Sequence, residues 1–180
     1  MPPIILLSAA GLFVAFLAFV ATRTPDFRIT RSVSIAAPPE SMFVLVNDFR
    51  AWERWSPWAK IDTTMTEIRE GAASGTGAIH KWSGTGKAGT GQMTILESRP
   101  PEEVRIELKF EKPFKATNAT LFTFRPEGSG TRVEWSMSGT NNFMAKAAHV
   151  LMNIDKLVGK DFEKGLIDMK SAAETDATRG

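Results

Sequence analysis

His80 and Glu97 are the two side chains of this chain best placed to move a proton. His80 lies in the stretch GAIHKWS, where alternation puts it on one strand face with Ala78 and Trp82. Within the predicted sheet it is the titratable group whose ordinary pKa lies near neutrality. A base that takes a proton beside a carbonyl must sit within hydrogen-bond reach of it, and a partner must orient the ring. Glu97, in QMTILES, shares a face with Met93 and Ile95 by strict alternation and is the candidate partner. Both residues also have a plainer reading, as a hydrogen-bonded strand histidine and a strand-end charge. His149, beside Val150 in a helical stretch, fits a solvated or interfacial position.

Trp52, Trp55 and Trp58 are three of the five tryptophans, packed into FRAWERWSPW. Tryptophan is large, seldom fully buried, and enriched at binding surfaces. In a helix Trp52 and Trp55 share a face, and Pro57 breaks the chain before Trp58. The group either lines the mouth of an apolar cavity or packs short helices onto a sheet, and both roles can coexist.

Other chemistry is excluded by what is missing. The chain has no cysteine, so thiolate nucleophiles, disulfides and cysteine zinc sites are out. It has no tyrosine, so no phenol can act as an acid. Two histidines without cysteine give no metal-ligand spacing, and no metal or cofactor is expected. GTGKAG at 84–89 fits G-x-G-x-x-G, but the dinucleotide fingerprint needs a helix next, and 92–98 alternates like a strand. It reads as a hairpin turn. The sequon Asn118-Ala119-Thr120 falls inside a predicted strand, and no G-x-S-x-G elbow occurs. The net charge is +2 with both signs interspersed, so there is no basic stripe for nucleic acid.

These residues need a scaffold. Residues 2–21, PPIILLSAAGLFVAFLAFVA, carry no charge. As a helix they would span about 30 Å, the thickness of a bilayer's hydrocarbon layer. A cleaved signal fits poorly. No Lys or Arg precedes the run, and small-residue pairs fail because Phe19 precedes Ala21 and Phe16 precedes Ala18. The expectation is a single-pass anchor and linker over 1–24 and a folded domain over 25–180. Arg23, Arg28 and Arg31 after the span place that domain on the cytoplasmic side.

Residues 27–36 alternate as a half-buried strand, with Phe27, Ile29, Val33 and Ile35 on one face. Arg31 interrupts that face and is read as snorkelling. Pro38 and Pro39 lead into a short helix over 40–47. A second short helix, opened by Asn47 or Asp48, carries Trp52 and Trp55 and stops at Ser56-Pro57. Strands are predicted at 65–70, 77–83, 92–98, 104–110, 117–125 and 131–138, separated by glycine and proline turns. After Asn141 and Asn142 the apolar period becomes helical through Met169, predicting one long amphipathic helix to about Ala173. Gly159 and Gly165 inside it each cost about 1 kcal/mol relative to alanine, and suggest close packing, a kink or room for a ligand.

The class is therefore α+β, a curved antiparallel sheet wrapped around a long C-terminal helix and preceded by one transmembrane helix. The stretches RSVSIAAPPESMFVLVNDFRAWERWSPW, GTGAIHKWSGTGKAGTGQMTILESRPPEEV, LFTFRPEGSGTRVEWSMSG and DFEKGLIDMK cover most of 27–174. In that order they resemble the helix-grip fold of the START/polyketide-cyclase (SRPBCC) superfamily, nearest its polyketide cyclase/dehydrase branch. The resemblance implies that a hydrophobic small molecule or lipid binds between sheet and helix, with catalysis in some members. The candidate lining is Trp52, Trp55, Trp58, His80, Trp82, Met93, Phe110, Phe122, Trp135, Met137 and Leu151. The alternative is a cyclase/dehydrase-like enzyme using His80 with Glu97. A partner-binding module is a third class, and would need an exposed apolar patch outside the cavity. The expected partners are the small molecule or lipid and, through residues 2–21, the membrane.

Overall fold

The computed structural model describes residues 3–59, 61–62, 64–86 and 88–177, with side chains from Leu7 to Asp176 within those ranges. Residues 1–2 of the expected anchor, residues 178–180 of the expected domain and Lys87 of the 84–89 turn lie outside them. The chain runs α1 (Pro3–Thr22), β1 (Asp26–Ile35), α2 (Pro39–Asn47) and a single 3-10 turn (Ala51–Arg54). Then come β2 (Thr66–Gly71), β3 (Ala78–Ser83), β4 (Thr90–Arg99), β5 (Glu103–Lys112), β6 (Ala116–Glu127) and β7 (Gly130–Thr140). Two helices finish it, α3 (Phe143–Leu151) and α4 (Ile154–Ala177).

Strands β2 to β7 form an antiparallel meander, and β1 joins beside β7, giving the order β1-β7-β6-β5-β4-β3-β2. The β1–β7 pairing runs unbroken from Asp26↔Thr140 to Ile35↔Thr131. Alternation puts Ile29, Ile106, Phe122, Val133 and Trp135 on the concave face, all buried. From above, α4 presents Phe162, Leu166, Met169 and Ala173, spaced for one helix face. Each such large side chain contributes about 1.5–3 kcal/mol on burial. That outweighs the two glycines, so packing rather than helix propensity holds α4.

Two contacts fix where α4 lies. Trp135 of β7 is sandwiched between Phe122, stacked at 4.8 Å, and Phe162 of α4, stacked at 4.0 Å with planes 5° apart. Arg31 of β1 does not snorkel. Its guanidinium folds against α4, donating to Glu163 Oε1 at 2.7 Å and to Asp155 Oδ2 and the Asp155 carbonyl, each at 3.1 Å. This close approach needs a glycine. A Cβ on Gly159 would sit 1.9 Å from Arg31 Nη2.

The single long terminal helix is replaced by two. Helix α3 ends at Leu151, and Asn153 starts α4 by accepting from the Lys156 amide at 2.9 Å. Asn142 caps α3 in the same way, through the Ala145 amide. The apolar period runs through this break, which is why the pattern alone joins the helices. α3 lies against α1, where Lys146 Nζ donates to the carbonyls of Ala21 and Arg23 at 3.1 Å each. A cation is favourable at such a helix C-terminus.

Among the described residues no helix is long and apolar enough to cross a membrane. The transmembrane helix expected over 2–21 is thus not borne out on them. Helix α1 itself runs over 20 residues, Pro3–Thr22.

Replacing Gly159 with alanine should lower stability in the parent chain by displacing Arg31. In an Arg31→Ala background the same change should instead stabilise by about 1 kcal/mol, the helix-propensity gain. Urea unfolding of the four variants checks this inversion of sign. Equal effects in both backgrounds would dissolve the proposed coupling.

Candidate functional site

The short segment after α2 is organised by its tryptophans. The last carbonyls of a helix lack partners inside it. Here the indoles supply them. Trp52 Nε1 donates to the Val46 carbonyl and Trp55 Nε1 to the Leu45 carbonyl, both at 2.9 Å. The rings then pack edge-on against Phe122 and Trp135. Trp58, beyond Pro57, reaches Trp135 and Phe162 at 5.5 and 6.0 Å. The segment arches over the half of the sheet that α4 leaves bare.

Beneath the arch is a cavity of about 330 Å³, walled mainly by apolar side chains. This lies at the small end of the roughly 300–1,000 Å³ range of small-molecule sites. Cross-strand register builds its floor in two rows. Arg69, His80, Met93 and Leu108 are successive neighbours on β2 to β5, and Glu67, Trp82, Gly91 and Phe110 form the next row. Gly91 makes room for its neighbour, since a Cβ there would lie 2.4 Å from the Trp82 ring. Trp82 meets Phe110 edge-on at 5.8 Å and donates to the Ala88 carbonyl at 3.0 Å, which pins the turn at 84–89. Thr120, Trp135, Met137, Val158, Asp161 and Phe162 close the far wall.

Of the candidate lining residues, Trp52, Trp58, His80, Trp82, Met93, Phe110, Trp135 and Met137 border this cavity. Trp55 and Phe122 do not; they are 1% and 0% exposed and belong to the core behind it. Leu151 is 72% exposed at the end of α3 and lies outside, a consequence of the helix break. Sequence reasoning missed Glu53, Glu67 and Arg69. Arg69 donates to Glu53 Oε1 at 2.6 Å and to Glu67 Oε2 at 3.1 Å, tying the arch to edge strand β2. Hydrophobic alternation conceals them, since Ile68 is the apolar residue of the strand yet faces outward and is exposed. The usable signal is register with His80 and Trp82 across the β2–β3 hairpin.

Glu97 is not the partner of His80. A β-bulge shifts the register between Ile95 and Glu97. Ile95 pairs with buried Ile106, whereas Glu97 pairs with outward-facing Arg105. The extra residue, Leu96, turns Glu97 to the convex face, where it binds Arg99 at 3.0 Å and Arg105 at 3.4 Å. One inserted residue reverses every later side chain.

His80 is 9% exposed, between Phe49 at 5.7 Å and Trp82 at 6.2 Å. Its Nδ1 is sealed from solvent with no hydrogen-bond partner, as is Trp135 Nε1. Burial holds the imidazole below its ordinary value of 6.5; Glu67 and Glu53 pull upward and Arg69 downward, all more weakly. The ring is therefore neutral at neutral pH. Among the described residues no cluster of acidic residues and histidines could hold a metal ion.

Comparison with known proteins places this geometry. The family model described as polyketide cyclase / dehydrase and lipid transport matches residues 26–174, and the chain belongs to that family, within the SRPBCC superfamily. The solved di-domain ARO/CYC BexL from the BE-7585A biosynthetic pathway is 15% identical, with a TM-score of 0.61 over 86% of this chain and 52% of its own. TTHA0849 from Thermus thermophilus is 16% identical, with a TM-score of 0.57 over 83% and 99%. CV1439 from Chromobacterium violaceum is 17% identical, with a TM-score of 0.55 over 83% and 97%. At these identities the likeness is one of fold. Comparison with curated proteins gave no match. The family supports a hydrophobic-ligand-binding or cyclase-like function.

The His80 shift has a consequence for stability. Its folded pKa is lowered, so between that value and 6.5 the unfolded chain binds a proton that the native state refuses. Stability should fall as pH drops through that window. His149 is shifted the same way by burial, so the contrast must be made against His80→Phe. Urea midpoints from about pH 7 to about pH 5 should decline less steeply in the variant. Parallel curves would show that His80 does not resist protonation.

Proposed function

We propose that this chain holds a hydrophobic small molecule or lipid in the cavity between the sheet and α4. Residues 25–180 form the ligand-holding domain, and the segment around α1 tethers it to a membrane on the cytoplasmic side. One observation carries the reading. The cavity is open although its walls are rigid core elements, with Trp52, Trp135 and Phe162 fixed by stacking and hydrogen bonds. A loosely walled gap would collapse; this one is held apart. The tether is supported by the uncharged run at 2–21 and by Leu7, Leu12, Phe13 and Val14, which stand exposed along α1.

A second reading, a cyclase-like enzyme acting on a ketone, is favoured by the place of His80 in the cavity wall. It must do without Glu97. A base working through Nε2 would also leave its proton on the sealed Nδ1, where no hydrogen-bond partner orients the ring, and burial outweighs the pull of Glu67 and Glu53 toward the imidazolium. Binding asks less of the same residues.

Native mass spectrometry of the full chain purified without lipid stripping should recover a bound apolar mass. Met93→Trp should fill the floor, lose that mass and keep the fold, read as unchanged unfolding cooperativity. Recovery of equal ligand from both proteins would place the ligand elsewhere. For the tether, the full chain should remain with the membrane pellet after carbonate extraction, and a chain begun at Thr24 should not. Release of both would overturn it.

A further inference from the structure

The polar groups of the cavity say what kind of ligand fits, given the ligand-holding reading above. His80 is nine-tenths buried and lines the cavity. A neutral imidazole has one N–H and one bare nitrogen. A proton on Nδ1 would strand a donor where it has no partner, and orphaned buried N–H groups are rarer than orphaned acceptors. The proton therefore belongs on Nε2, an assignment made from the bonding pattern. Nε2 is not among the sealed atoms and has no protein partner among the described residues. Across the cavity on β6, the buried Thr120 lines the far wall, and its hydroxyl makes no hydrogen bond among the described residues. The interior thus offers an uncharged donor.

The charges at the rim point the same way. The described lining holds three carboxylates, Glu53, Glu67 and Asp161, against one guanidinium, Arg69. Arg69 is already engaged by both glutamates. An incoming carboxylate finds no free cation among the described lining residues, and faces like charge in a site poor in water.

We propose that the cavity selects a neutral apolar molecule carrying a hydrogen-bond-accepting oxygen, such as a ketone or ester. His80 donates to that oxygen through Nε2–H, and the rim carboxylates turn away the fatty-acid anion of the same length. A long-chain ketone and a fatty-acid anion differ little in shape, so charge and the His80 donor decide between them.

The probes are methyl heptyl ketone and octanoate, which share one heptyl chain. Each is titrated into the full chain in lipid nanodiscs, with empty nanodiscs as the partition control, following tryptophan fluorescence and the ketone's carbonyl stretch. The ketone should bind at least about fivefold more tightly than octanoate. Its bound carbonyl stretch should move to lower frequency. His80→Phe should abolish that movement and weaken the ketone about fivefold while the fluorescence change persists. Glu67→Gln, a partly exposed change that spares the core, should narrow the gap by strengthening octanoate. Octanoate binding as well as the ketone, or a carbonyl shift that survives in His80→Phe, would overturn the proposal while leaving the ligand-holding reading intact. Failure of both probes, with no endogenous ligand recovered, would sink both.

Discussion

The placement of α4 is the constraint on which the rest of this structure depends. Helix and sheet could meet in many ways, but two contacts select one. The Phe122–Trp135–Phe162 stack clamps the helix to β6 and β7 at Phe162. Arg31, reaching from β1 over Gly159, draws in its N-terminal half. Arg31 is 22% exposed but Asp155 and Glu163 are 59% and 54% exposed, so these ion pairs orient the helix more than they stabilise it. Both contacts lie toward the β1 side of the sheet. With α4 drawn to one side and α2 packed over β5 to β7, the concave face toward β2 and β3 is left to the segment that follows α2.

That asymmetry makes the cavity. The arch between α2 and β2 has to cover the bare half, and a single 3-10 turn is too short to do it by packing alone. Tryptophans solve the problem by spanning distance. Trp52 and Trp55 anchor the arch to the end of α2, Trp58 reaches the aromatic stack, and the Glu53–Arg69–Glu67 ion pairs fasten its outer edge to β2. The arch is fastened at several points along its length, so the space under it persists.

Much of this is legible in the sequence, and the failures have physical causes. Alternation places the strands, and Val104, Ile106 and Trp135 fall on the face it assigns. Trp82 and Met93 line the cavity because β3 and β4 pair in unbroken register from Ile79↔Thr94 to Ser83↔Thr90. Past Ile95 a bulge breaks the period, and no residue type there announces it, so alternation puts Glu97 on the wrong face. Asn153 is visible but looks like one polar residue within an apolar helical period; its capping role depends on the backbone around it. Arg31 is visible too, but its destination requires knowing that Gly159 lies opposite. Glu67 and Arg69 are hidden most deeply, because edge strand β2 points these two charges inward and Ile68 outward, against the usual rule.

The energetics of the wall argue about its occupant. A wall made wholly of Leu and Phe would be more stable than one holding a desolvated imidazole whose sealed Nδ1 has no partner, since a buried polar group without a partner costs about 1–3 kcal/mol. Trp135 carries its own unpaired N–H, but it also stacks between two rings, so the ring's packing accounts for its retention. His80 has no such compensation. Its contacts with Phe49 and Trp82 could be made as well by phenylalanine, without the burial penalty that depresses its pKa. What phenylalanine could not provide is a donor aimed into an apolar space. An occupant with one acceptor oxygen would satisfy that donor and cover the apolar wall at once. Binding would then return to the folded state part of the stability that the open cavity and the lone imidazole remove from it.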